Sequence, residues 1–145
     1  MCVMAKVIYT AKANVTGGRE LGHGVTDDGE LDVQLRPPTE GGGTNPEQLF
    51  AVGYAACFEG ALGAVGRRER LEVGDVSIAS SVSLVTGENR SFSIAAELDV
   101  SLPQLDADDA ERVVRAAHLV CPYSNATRGN IEVKLIANGR ALDGA

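Results

Sequence analysis

Period-two alternation of apolar and polar residues recurs along this chain and marks its strands. Val7, Tyr9, Ala11 and Ala13 alternate with Lys6, Ile8, Thr10 and Lys12, which predicts a first strand. Thr16-Gly17-Gly18-Arg19 predicts a turn that places Arg19 on a loop. Gly22-His23-Gly24 and Asp27-Asp28-Gly29 predict turns around a short strand, with His23 a loop residue. Leu31, Val33 and Leu35 alternate with Asp32, Gln34 and Arg36, and Pro37-Pro38 ends that strand. Val76, Ile78, Val82 and Leu84 share one face of a long strand. After Gly87-Glu88-Asn89, Phe92, Ile94, Ala96, Leu98, Val100 and Leu102 alternate without a break, giving a hairpin with one buried face. Ile131, Val133 and Leu135 predict a last strand, followed by an Asn138-Gly139 turn.

Two stretches follow a helical period instead. Ala110, Val113, Val114, Ala117, Val120 and Cys121 recur at spacings of three and four, a helix starting near Asp106 and ending or kinking at Pro122. The other stretch, Gly41 to Gly66, is apolar on every side, which predicts a helix buried all round. Thr44 or Asn45 can cap it, Pro46 suits its first position, and Glu47 suits the positive end of its dipole. Its uncharged run, Leu49 to Phe58, is half of the about 20 residues that span a bilayer. Strands at both ends with helices between them make an α+β fold, a mainly antiparallel sheet packed on helices.

Length and charge narrow the classes. At 145 residues, residues 1–145 are expected to form a single domain. A net charge of −7 opposes a nucleic-acid partner. No apolar signal segment precedes Lys6, and cysteines at 2, 57 and 121 make no secreted disulfide framework, so a cytoplasmic location away from the membrane is expected. Cys2 is expected to be a bystander in the terminus.

The chemistry rests on Cys57, in the apolar helix, and Cys121, on the apolar face of the second one. Either could be a small buried hydrophobe. A metal site lacks ligands, since there is no Cys-x-x-Cys and only His118 lies near Cys121, where it reads as a helix-surface residue. The glycines at 41–43 lack the Lys-Ser/Thr of a phosphate loop. A Cys-His hydrolase needs a base, and nothing ties His23 or His118 to Cys57. Thiol peroxidase chemistry needs two thiols and a cation but no metal, and these parts are present. A non-enzymatic redox sensor using the same thiols is the alternative; no basic face or DNA-binding helix pair supports it.

Gly17-Gly18-Arg19, TNPEQLFAVGYAACFEGAL at 44–62 and VCPYSNATRGNIEV at 120–133 together resemble the organic hydroperoxide resistance (Ohr) branch of the Ohr/OsmC superfamily, in order along nearly the whole chain. The approach RPPTEGGGTNP looks a few residues shorter than usual. The resemblance implies an OsmC-like fold, with sheets wrapped around long central helices in an intertwined homodimer. It implies a peroxidase that reduces organic and fatty-acid hydroperoxides to alcohols, with no bound cofactor and no metal. A lipoylated protein, through its dihydrolipoyl dithiol, is the implied reductant. By motif, Cys57 is the peroxidatic thiol, Cys121 the resolving thiol, Arg19 the thiolate's cation and Glu47 the acid that orients Arg19. Phe50, Tyr54 and Phe58 are candidates for the pocket lining. Ten residues of straight helix put Cys57 about 15 Å from Glu47, so one Arg19 reaches both only if the helix breaks or Glu47 comes from a partner chain.

Overall fold

The computed structural model describes residues 5–144, which leaves Cys2 outside the described residues. The chain divides into two compact units, Met1–Pro46 and Glu47–Ala145.

The first unit is a three-stranded antiparallel sheet in the order β1-β2-β3, with β1 Ala13–Thr16, β2 Gly22–Thr26 and β3 Asp32–Leu35. The β1–β2 turn forms because Gly17 and Gly18 take φ of +77° and +70°, where a side chain is strained. A Cβ on Gly17 would also lie 2.4 Å from the Leu21 carbonyl oxygen. Gly22-His23-Gly24 lies in β2 and not in a turn, and His23 Nε2 meets Asp32 Oδ1 at 2.6 Å. After Pro37-Pro38 the chain returns to β3. Thr44 N donates to the Gln34 carbonyl at 2.8 Å, and Arg36 N to the Thr44 carbonyl at 2.9 Å.

The expected first strand over Lys6–Ala13 forms no ladder before Ala13. Val7, Ile8 and Tyr9 are 81%, 92% and 79% exposed. Alternation supplies one apolar edge but no partner strand, and a strand needs the partner for its backbone groups.

From Glu47 on, the second unit begins with the body of α1, a helix that runs Pro46–Glu69, 24 residues without a break. Its start is where the capping residues and Pro46 place it. By length and composition it could cross a membrane, so the charge-free run of ten understated it. The face carrying Tyr54, Phe58, Leu62 and Val65 is instead sealed in this unit's core, which makes α1 a core helix. The opposite face is open: Val52 is 71% exposed, and Ala56, Gly60 and Ala64 are exposed too. The helix is therefore buried on one side and not all round.

The core continues into a four-stranded sheet in the order β4-β5-β6-β7, with β4 Ser77–Thr86, β5 Phe92–Ser101, β6 Val133–Ala137 and β7 Arg140–Leu142. β4 and β5 form the expected hairpin from Ser77↔Ser101 to Thr86↔Phe92. Its inner positions Ala96, Leu98 and Val100 are buried, whereas Phe92 at the far end is 67% exposed. β6 pairs with β5 in parallel, because two helices carry the chain back across the sheet before it enters β6. These are α2, Ala107–Val120, and α3, Pro122–Thr127. Asp106 caps α2 by accepting from Asp109 N at 2.8 Å. Beyond the expected last strand, the Asn138-Gly139 turn leads into β7, a three-residue strand that pairs antiparallel with β6 and is too short to show a period of its own.

Candidate functional site

Cys121 stands at the joint between α2 and α3. The ring of Pro122 keeps the preceding residue out of the helical region, and Cys121 has φ −63° and ψ 125°. It closes α2 by donating its N–H to the Ala117 carbonyl at 2.8 Å, and its own carbonyl accepts from Asn125 N at 2.9 Å. The kink turns the Cys121 thiol, fully buried, toward α1. There Cys57, half-buried midway along the helix, brings its Sγ to 3.5 Å from Cys121 Sγ. Both thiols are free. This is short of a disulfide bond of about 2.05 Å, yet close enough for a modest side-chain movement to join them.

Burial pushes the Cys57 thiol above its ordinary pKa, and the neighbouring Cys121 thiol adds to the rise. The Tyr123 backbone N–H, which bonds to the Cys57 sulfur, works the other way. A nucleophilic thiolate at Cys57 therefore needs a cation. Arg19, the residue assigned that role by motif, is exposed in the β1–β2 turn of the first unit. Glu47 is half-buried in the first turn of α1. Since α1 is unbroken, the helix break that would let one Arg19 reach Glu47 and Cys57 of the same chain does not occur.

An apolar groove of about 550 Å³ lies beside the thiol-bearing joint, lined by Phe50, Ile94, Pro122, Tyr123, Ile131 and Asn130 among others. Phe50 packs its ring 5.5 Å from that of Tyr123. Tyr123 sits over Gly53, where a Cβ would lie 2.9 Å from its hydroxyl. Of the three expected lining residues, Phe50 is on the groove wall. Tyr54 and Phe58 are instead 0% exposed in the core, because they lie on the helix face turned toward the sheet.

His118 departs from its expected place on the helix surface. It is 4% exposed rather than on the helix surface. Its Nδ1 lies 2.9 Å from Ser124 Oγ, which lies 2.8 Å from the Tyr54 hydroxyl, itself 3.2 Å from Thr127 Oγ1. Burial, aided by the charge of Arg128, lowers the His118 pKa and keeps the imidazole neutral. The signal was present: His118 follows Val114 by four and precedes Cys121 by three, the spacing of the apolar face. Among the described residues, no group of three or more His, Cys, Asp or Glu gathers at metal-binding distance.

Residues 39–136 match the family model of the OsmC-like proteins. The organic hydroperoxide resistance protein of Xanthomonas axonopodis pv. citri is 51% identical, over 90% of this chain and 94% of its own length. The crystal structure of the organic hydroperoxide resistance protein OhrB of Bacillus subtilis superposes with a TM-score of 0.84 at 47% identity, covering 90% of this chain and 98% of that one. A putative organic hydroperoxide resistance protein of Vibrio cholerae, crystallised with captopril in one of its active sites, gives 0.89 at 38% identity, covering 94% and 96%. With the two thiols on α1 and at the α2–α3 joint of this fold, the chain belongs to the OsmC-like protein family, among relatives named for organic hydroperoxide resistance.

Proposed function

We propose that this protein detoxifies organic hydroperoxides as a thiol-dependent peroxidase. The Cys57 thiolate attacks the terminal oxygen of the hydroperoxide, and the O–O bond breaks. The leaving alkoxide takes a proton to become the alcohol, and Cys57 becomes a sulfenic acid. The Cys121 thiol then attacks the Cys57 sulfur, hydroxide leaves as water with the thiol proton, and a Cys57–Cys121 disulfide forms. A dihydrolipoyl-type dithiol of a lipoylated protein reduces the disulfide by exchange and is itself oxidised. Arg19 holds the thiolate and Glu47 orients Arg19.

The observation that carries this reading is the 3.5 Å separation of two free thiols beside an apolar groove. Substrates with an alkyl body suit that groove, and fatty-acid hydroperoxides are the extreme case. The protein acts as a homodimer, with its two units working as one domain, in the cytoplasm. The exposed segment Val7-Ile8-Tyr9 and the open Val52–Ala56–Gly60–Ala64 face of α1 are surfaces that a second copy would cover. In the dimer, Cys57 of one chain works with Glu47 of the other.

A single-turnover experiment tests the chemistry. Reduced protein treated with one equivalent of cumene hydroperoxide should yield one equivalent of cumyl alcohol and lose two thiols, with Cys57 and Cys121 joined in the peptide map. Alcohol formed without loss of the Cys57 thiol would overturn the reading.

A further inference from the structure

Tyr54 precedes Cys57 by three residues on α1, and His118 precedes Cys121 by three on α2. Each therefore lies one helical turn from a thiol, on the same side of its helix. The two are linked through Ser124 of α3: Tyr54 hydroxyl to Ser124 Oγ at 2.8 Å, and Ser124 Oγ to His118 Nδ1 at 2.9 Å. All three side chains are buried, at 0%, 0% and 4% exposure. One buried hydrogen-bond chain thus joins the three helices, one turn from each thiol.

Counting hydrogens gives the chain a direction. Thr127 Oγ1 donates to the Ser124 carbonyl at 3.3 Å. With that hydrogen on the Ser124 carbonyl, the phenol is the donor in the 3.2 Å contact between Tyr54 and Thr127. The phenol oxygen accepts from Ser124 Oγ, and Ser124 Oγ accepts from His118. The imidazole must then carry its proton on Nδ1, leaving a bare lone pair on Nε2. Nε2 is buried and has no partner among the described residues, and a lone pair without a partner costs less there than a charged ring would. Arg128 holds the other end of the assembly, donating to the His118 carbonyl at 2.7 Å and to the Asn125 side chain.

We propose that the Tyr54–Ser124–His118 chain is the clamp that holds Cys57 and Cys121 at reacting distance, with His118 as its positioning residue. Its purpose rests on the peroxidase reading; its test does not. Apart from the Tyr123 N–H on Cys57, the side chains packed with the thiols are apolar, and apolar burial is non-directional. A slide of α2 along α1 by about 1.5 Å, within the ordinary range of helix shifts, would cost it little area. The same slide consumes the whole margin between the observed 3.5 Å and a bond of about 2.05 Å. Hydrogen bonds of fixed length, one turn from each sulfur, remove that freedom.

The test reads closure of the disulfide without any peroxide. The protein is equilibrated in glutathione buffers, where one oxidised glutathione and two protein thiols give the protein disulfide and two reduced glutathiones. The fraction closed is read by acid quench and mass spectrometry. His118→Leu should lower the closure constant by about tenfold. Tyr54→Phe, which keeps the ring in the core, should lower it between about twofold and tenfold. His118→Asn places an amide N–H where Nδ1–H stood and should return closure to within about threefold of the wild type, a rescue that loss of packing would not show.

A folded His118→Leu or Tyr54→Phe protein that closes with the wild-type constant overturns the clamp, as does Asn no better than Leu, or a wild type that never closes. If His118→Leu does not fold, Tyr54→Phe decides alone. A wild type that closes yet consumes no cumene hydroperoxide sinks the peroxidase reading and leaves the clamp standing. Turnover with every variant closing alike does the reverse.

Discussion

Lengthening the alkyl body of the substrate probes the groove without altering the protein. The groove of about 550 Å³ is walled mainly by Phe50, Ile94, Pro122, Tyr123 and Ile131, with Thr127 and Asn130 as its small polar share. Each methylene transferred from water into it is worth about 0.8 kcal/mol, a factor of about four in kcat/KM at room temperature. Four carbons then give about 3.2 kcal/mol, or roughly 200-fold, for butyl hydroperoxide over hydrogen peroxide as an upper bound. The assay is consumption of hydrogen peroxide and of ethyl, butyl, hexyl and octyl hydroperoxides under a fixed excess of dihydrolipoamide. The logarithm of kcat/KM should rise with carbon number until the groove is filled, then level off. Ile94→Ser or Ile131→Thr should flatten the rise and leave hydrogen peroxide nearly unaffected, since hydrogen peroxide does not use the groove. Equal efficiency for hydrogen peroxide and octyl hydroperoxide would refute the assignment of the groove to substrate.

Mixed dimers of Cys57→Ser and Glu47→Gln chains should recover activity in one of their two sites, because the intact Cys57 then meets the intact Glu47 of the other chain; mixtures no better than either parent would place both residues in one chain. Cys121→Ser should still reduce the first equivalent of hydroperoxide but stall at the Cys57 sulfenic acid, which excess peroxide drives to sulfinate, readable by mass; sustained turnover with the dithiol would show that Cys121 is not needed to resolve. His118, buried neutral with its pKa lowered by burial and by Arg128, stabilises the fold fully above its unfolded value of about 6.5. Below that pH the unfolded chain binds a proton that the native ring refuses, so stability falls, by at most about 1.4 kcal/mol per pH unit from this group. The urea midpoint of the wild type should therefore drop more than that of His118→Asn between pH 7.5 and 5.5, and parallel curves would contradict a buried neutral ring.

The elements legible in the sequence were those whose signal is local. Pro46 and its capping neighbours mark the start of α1, Asp106 that of α2, and unbroken alternation the β4–β5 hairpin, because caps and periodicity act within a few residues. What the sequence hid depends on partners distant in the chain. Lys6–Lys12 alternates like a strand but has no ladder. Gly22-His23-Gly24 reads as a turn, yet cross-strand bonding to β1 and β3 holds it extended. The parallel entry of β6 follows from the crossover and from no feature of its own residues. At the site, motif resemblance singled out Cys57 and Cys121, and the fold brings them together. A polar residue on a helix, by contrast, reads as solvent-facing. His118 reads the same way, yet it is buried, because Ser124, six residues on, folds back under it to supply a partner.

The central claim is that Cys57 reduces organic hydroperoxides catalytically. Its most direct test is steady-state reduction of cumene hydroperoxide by the wild type and by Cys57→Ser, with dihydrolipoamide as reductant. Many turnovers in the wild type and none in Cys57→Ser are expected. A single stoichiometric oxidation that never cycles would mean a redox sensor, and turnover that survives the loss of Cys57 would mean that another group is the nucleophile.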